Sequence, residues 1–148
     1  MYILGGNMNK LEKWFEVMKS KNLDELDNLL SDDVIFYSPV VFTPQKGKEL
    51  TKMYLMAAGG VFGGNQKKDA SSTSKDDKSK FKYIKEVVDE NSALLEFELE
   101  MDGKYINGID LITWNEEGKV KEIKVMVRPL QAVNLLHSKM QAMLESMK

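Results

Sequence analysis

The chain contains no cysteine, which removes disulfides, thiol nucleophiles, CxxC redox chemistry and thiolate metal sites together. It contains one histidine, His137, so a two-histidine metal site within one chain is excluded and a Ser-His-Asp triad is not expected. Positive charge is not in excess either. The 21 Lys and Arg stand against 23 Asp and Glu, a formal net charge of −2, which leaves no basic footprint for nucleic acid. No run approaches the about 18 consecutive apolar residues of a membrane span, and the opening Met1 to Gly6 is too short for the apolar centre of a secretion signal. A cytoplasmic protein without membrane contact is expected, and the lack of cysteine agrees with a reducing compartment. The Gly59-Gly60 and Gly63-Gly64 pairs are not followed by Gly-Lys-Ser/Thr, so no phosphate cradle is expected, and no metal or cofactor site is read from the chain.

What is present suits one domain over residues 1–148. With 43% hydrophobic and 30% charged residues, a chain of 148 residues can bury roughly two-thirds of its unfolded surface in one core. Met8, Leu11, Trp14, Phe15 and Met18 share one helical face, with Asn9 and Glu12 reading as an N-cap and its partner. Asn22 and Glu25 open a second helix whose apolar side is Leu23, Leu26, Leu29 and Leu30. Val34 to Tyr37 is strand-like and is stopped by Pro39. A third helix is expected between Gly47 and Gly59.

Residues 63–80 hold nothing apolar larger than alanine, and this composition predicts a mobile loop inside the domain. Beyond it the period changes from 3.6 to 2. Residues 81–88 read as a strand of uncertain facing, and Leu95, Phe97, Leu99 and Met101 then alternate with Glu96, Glu98 and Glu100. Asp102-Gly103 is a hairpin signal. Strands over Tyr105 to Trp114 and Val120 to Val127 follow, and residues 130–147 return to helical spacing as a closing helix. The order predicts an α+β fold with helices packed on one face of a curved antiparallel sheet.

The stretch Lys19 to Pro39, KSKNLDELDNLLSDDVIFYSP, resembles the opening of the nuclear-transport-factor-2-like (NTF2-like) superfamily, which includes SnoaL-like polyketide cyclases and ketosteroid isomerases. Asn107 to Trp114, followed by Glu117-Gly118-Lys119-Val120, looks like that superfamily's final hairpin. The similarity spans roughly residues 8–128. It implies a cone whose helices and sheet enclose an apolar pocket for a small, largely apolar organic molecule, commonly in a homodimer. An outer sheet face mixing Glu96 and Glu98 with Lys124 and Met126 suits a polar interface about a two-fold axis. The activity implied is isomerase, cyclase or hydrolase chemistry without a cofactor; a non-catalytic ligand-binding or interaction module of the same fold is the alternative.

Asp110 is the central candidate. Strand parity groups it with Ile106, Ile112 and Trp114 on the inward face, where a carboxyl must be paired, hydrogen-bonded or protonated. A four-residue turn at 115–118 would set Trp114 opposite Lys119, Asp110 opposite Ile123 and Arg128 opposite Tyr105. In ketosteroid-isomerase-like proteins an Asp at this point of the strand is a protonated donor in an oxyanion hole, the role the resemblance implies here. The matching depart elsewhere: Ser38 stands where those enzymes carry an Asp base, and Trp14 where they carry a Tyr donor. A Ser hydroxyl without an adjacent base does not take a proton from carbon. Tyr37 and Tyr54 are the further candidate catalytic hydroxyls. Trp14, Ser38, Ile112, Trp114, Ile123, Val125 and Arg128 are the candidate ligand-binding residues. Arg128 suits a ligand carboxylate at the rim or an anchor for the closing helix. His137 reads as a packing or capping residue, and Met140, Met143 and Met147 as a pliable apolar surface over an opening, a partner or the core.

Overall fold

The computed structural model describes residues 2–63 and 80–147, with side chains over residues 9–62 and 80–147. The expected loop at 63–80 therefore lies, apart from its end residues, outside the described residues. In chain order the elements are α1 (Tyr2–Ser20), α2 (Leu23–Leu29), β1 (Leu30–Tyr37), β2 (Gln45–Lys46), α3 (Lys48–Gly63), β3 (Lys82–Val88), β4 (Ser92–Met101), β5 (Lys104–Trp114), β6 (Val120–Arg128) and α4 (Leu130–Ser146). None of the described helices is long and apolar enough to cross a membrane.

Helix α1 buries Leu11, Trp14 and Val17, a three-residue spacing that keeps them on one face. It starts at Tyr2, so Asn9 sits inside the helix and does not cap it, contrary to the capping pattern read from the sequence. Asn22 does cap α2, its side chain accepting a hydrogen bond from the Glu25 amide at 3.0 Å. β1 follows α2 directly and begins at Leu30, earlier than its Val34-to-Tyr37 apolar run suggests.

The six strands form one open, curved sheet in the order β2-β1-β6-β5-β4-β3. Every pairing is antiparallel except β1 with β6, where Phe36 lies beside Ile123 in a parallel ladder. The sheet is thus mixed rather than antiparallel throughout. Asp102 and Gly103, with φ of 52° and 78°, make the tight β4–β5 turn, a conformation that Asp and Gly tolerate.

The register of β5 on β6 differs from the expected one by two residues. Asp110 pairs with Val125, Ile112 with Ile123 and Asn107 with Arg128: one residue of the shift comes from a longer turn, since Trp114 pairs with Val120, and the other from a bulge between Thr113 and Trp114. A shift of two leaves every side chain on its expected face, whereas a shift of one would have reversed them all. Leu95, Phe97, Leu99, Ile106, Ile112 and Ile123 accordingly lie buried on the concave side, each contributing about 1.5–3 kcal/mol by leaving water. Gly108 makes the inner surface possible: a Cβ there would stand 2.6 Å from both the Met126 carbonyl oxygen and the Phe97 ring. Helices α1, α3 and α4 face this concave side, and the gap they leave is the site.

Candidate functional site

Between the helices and the concave sheet lies a cavity of about 470 Å³, within the size range of small-molecule sites. Its walls are mainly apolar: Phe15 and Met18 from α1, Phe36 from β1, Phe62 from α3, Phe97 from β4, and Leu136 and Met140 from α4. The closing helix thus forms part of the wall. Asp110 is the acidic side chain of the lining. β5 carries it inward with Ile112 and Ile106, and what accessible surface it retains faces the cavity.

The carboxyl is held by a short chain of hydrogen bonds. The Tyr83 hydroxyl donates to Asp110 Oδ2 at 2.9 Å, and Trp14 Nε1 donates to the Tyr83 oxygen at 3.5 Å. Tyr83 is itself fixed by aromatic neighbours, with Phe81 edge-on at 5.1 Å and Phe15 tilted at 5.3 Å. Among the described residues, no second hydrogen bond reaches the Asp110 carboxyl. Burial pushes its pKa up to about 6, while the Tyr83 hydrogen bond pulls in the opposite direction. Loss of hydration penalises the carboxylate more than one neutral donor stabilises it. Tyr83 is pushed well above the ordinary phenol value, by burial first and by the neighbouring Asp110 charge second, so it remains a neutral O–H donor at physiological pH.

Of the residues singled out from the sequence, Asp110, Trp14, Ser38, Ile123 and Val125 meet at this cavity. Ser38 Oγ accepts from the Val40 and Val41 amides at 3.1 and 3.3 Å; it holds the turn after β1, and no base among the described residues hydrogen-bonds to it. The others lie elsewhere. Tyr37 is on the outer sheet face, with Lys124 Nζ 4.8 Å from its ring centroid. Tyr54 packs against Phe36 at 5.7 Å without lining the cavity. Ile112 is wholly buried in the core. Trp114 is at the far end of β5, under Lys10. Arg128 is exposed and donates to Asn107 Oδ1 at 3.3 Å, its partner across the strand pair, so neither the Tyr105 pairing nor the rim position expected for it is found. His137 is exposed on α4.

Tyr83 was not readable as a site residue. The pairing of β3 with β4 slips between Tyr83 and Lys85, so Tyr83 and Val88 both face inward although five positions apart, and no alternation marks the strand. A tyrosine hydroxyl therefore serves the carboxyl from β3, while α1 supplies the Trp14 indole behind it. A second depression of about 580 Å³ lies at the β5–β6 turn, lined by Asn91, Thr113, Trp114, Asn115, Glu116, Glu117 and Lys121. It is a wide, polar surface hollow and places no proton-transfer group out of water.

No protein-family model and no curated protein matches the sequence. Solved structures do. A steroid delta-isomerase from Pseudomonas aeruginosa is 24% identical with a TM-score of 0.77, over 95% of this chain and 93% of that one. An NTF2-like protein of unknown function from Mesorhizobium loti is 14% identical with a TM-score of 0.64, over 84% and 93%. An epoxide hydrolase/cyclase-like enzyme of pyran ring formation in the polyether salinomycin is 13% identical with a TM-score of 0.62, over 88% and 96%. At such identities the likeness is one of fold, and the fold of this chain is NTF2-like and SnoaL-like.

Proposed function

We propose that the cavity binds a small, largely apolar organic molecule and that Asp110 exchanges a proton with it, in cofactor-independent chemistry of the isomerase, cyclase or hydrolase kind. The carrying observation is the Asp110–Tyr83 pair, 2.9 Å apart, set in an apolar wall. A carboxyl raised to about 6 is present in both protonation states near neutral pH, which suits it to give or take a proton. Tyr83 occupies Oδ2 and leaves Oδ1 for the ligand. In the acid form Asp110 donates to a ligand oxygen; in the ionised form it accepts a proton from one. The steroid delta-isomerase and the epoxide hydrolase/cyclase-like enzyme among the structural neighbours support the class of chemistry without fixing a reaction.

Binding of 2-naphthol, followed by its fluorescence, tests this reading. Wild type is expected to bind it with an affinity that changes around pH 6, and Asp110→Asn with one that does not vary with pH. Absence of binding, or the same profile in both proteins, would contradict it. A second reading, a non-catalytic binding module, is favoured because, among the described residues, no base lies beside Ser38 and Tyr83 is the one side-chain hydrogen-bond partner of Asp110. Under it Asp110 only orients the ligand.

We also infer a homodimer through the outer sheet face, which carries Glu96 and Glu98 on β4 and Lys124 and an exposed Met126 on β6. The charges would make the contact sensitive to salt. Sedimentation at micromolar concentration is expected to show about twice the chain mass of 16.9 kDa; a single species at that chain mass would overturn the inference.

A further inference from the structure

We propose that the ligand carries an anionic group at the end remote from Asp110, a carboxylate held at the cavity mouth by Lys19 and Lys21. This rests on the reading of the cavity given above and narrows it to apolar keto- or hydroxy-carboxylates.

Two lysines line a cavity whose walls are otherwise mostly apolar, and both are exposed to solvent. A residue that touches both the cavity and bulk water marks an opening, so the mouth lies where α1 ends against α3. Neither ammonium has an ion pair or hydrogen bond with another described side chain. Glu16 and Asp24, the acids nearest in sequence to Lys19 and Lys21, form no ion pair with them, and Glu25 is engaged by the Ser20 hydroxyl at 3.0 Å. Lys48 and Lys52, by contrast, both lie on Asp27, at 3.5 and 2.8 Å. The cation at the mouth is therefore available to a ligand.

The placement of Lys21 points the same way. Its backbone closes α1, the amide donating to the Val17 carbonyl at 3.0 Å, in a left-handed conformation with φ of 57°. That position favours glycine, and any Cβ there is strained. Its stem nonetheless reaches across to α3, where Cε comes within 3.9 Å of the point a Gly59 Cβ would occupy. The aliphatic part thus lies along the rim beside α3 with the charge in water.

Electrostatics then orient the guest. A carboxylate at the inner end would be desolvated among aromatic walls and repelled by the Asp110 charge. At the mouth it stays hydrated and meets two cations, while a carbonyl or hydroxyl at the other end reaches Asp110. The molecule can enter in one direction only.

The test compares 2-naphthol with naphthols bearing a carboxylate at the 6-position, directly or on short and longer alkyl tethers. At low ionic strength at least one carboxylate should bind wild type about three- to tenfold tighter than 2-naphthol, the scale of two solvent-exposed ion pairs, and the gain should shrink with added salt. In the double variant Lys19→Met, Lys21→Met the gain should vanish while 2-naphthol affinity is unchanged. Lys21→Gly, which relieves the left-handed backbone, should fold at least as well as wild type and still lose part of the gain. If 2-naphthol binds but no carboxylate binds tighter, or if the gain survives in the double variant, the inference falls and the cavity reading stands. If neither kind of compound binds, the cavity reading falls with it.

Discussion

Asp110→Asn should change how stability depends on pH more than it changes the fold. The amide keeps the shape of the side chain and still accepts the hydrogen bond that Tyr83 donates, so packing is preserved while titration is abolished. The rise of the Asp110 pKa from 3.8 to about 6 corresponds to about 3 kcal/mol at 1.36 kcal/mol per pH unit. The sign follows from proton uptake. Between the two values the folded chain holds a proton that the unfolded chain has released, so the unfolded state binds fewer protons and stability falls as pH rises. The stabilisation from this carboxyl is fully present below about pH 3.8 and is lost as pH climbs through about 6. Urea unfolding of both proteins across this window measures it, because the other titrating groups cancel in the difference. Wild type should lose about 2.5 kcal/mol of this relative to Asp110→Asn between about pH 4 and about pH 7.5, with the steepest change at about pH 5, midway between the unfolded and folded values. Parallel curves would refute the burial argument, and so would a wild type that gains on the variant as pH rises, since that slope belongs to a carboxylate stabilised in its charged form.

Two further outcomes test the parts around it. Tyr83→Phe removes the hydrogen bond that lowers the Asp110 pKa, so the carboxyl should titrate above the wild-type value of about 6, and a carboxyl-carbon NMR titration that shows no rise would contradict the pairing. Gly108→Ala sets a methyl group 2.6 Å from the Met126 carbonyl oxygen and from the Phe97 ring; overpacking of this kind costs about 1–3 kcal/mol, or about 2–10 °C of melting temperature in a domain of this size, and an unchanged melt would show that the strand pair gives way freely.

The fold was legible where one face of an element is dry and the other wet. The Leu95, Phe97, Leu99 run on β4 and the inward set of Asp110 and Ile112 on β5 follow from strict alternation, and parity survives a register error of two, the sum of one residue in the turn and one in the Thr113–Trp114 bulge. The parallel pairing of β1 with β6 was not legible, since Phe36 and Ile123 meet across the whole intervening chain and no local pattern encodes that contact. Residue pairs of β2 are too few to carry a period. Helix α1 was shortened because Asn9 and Glu12 imitate a cap in mid-helix. The cavity was half visible. Asp110 betrays itself as a carboxyl on an apolar face, but Tyr83 is hidden by the slip in β3. Tyr37 and Tyr54 carry the right hydroxyl on the wrong side of their elements: Phe36 takes the inward position that Tyr37 would need, and Tyr54 packs against Phe36 from outside the lining. Lys19 and Lys21 are ordinary surface lysines in sequence, and only the approach of α1 to α3 makes them a rim.

The central claim is that Asp110 is a largely desolvated carboxyl beside Tyr83 at the wall of an apolar cavity, and its titration tests that claim most directly. Selective ¹³C labelling of aspartate, with the Asp110 carboxyl assigned by its loss in Asp110→Asn, gives the midpoint in the folded protein. The expected result is a midpoint near 6; a midpoint at or below the ordinary aspartate value of about 3.9 would contradict the buried acid and the proton-transfer role built on it.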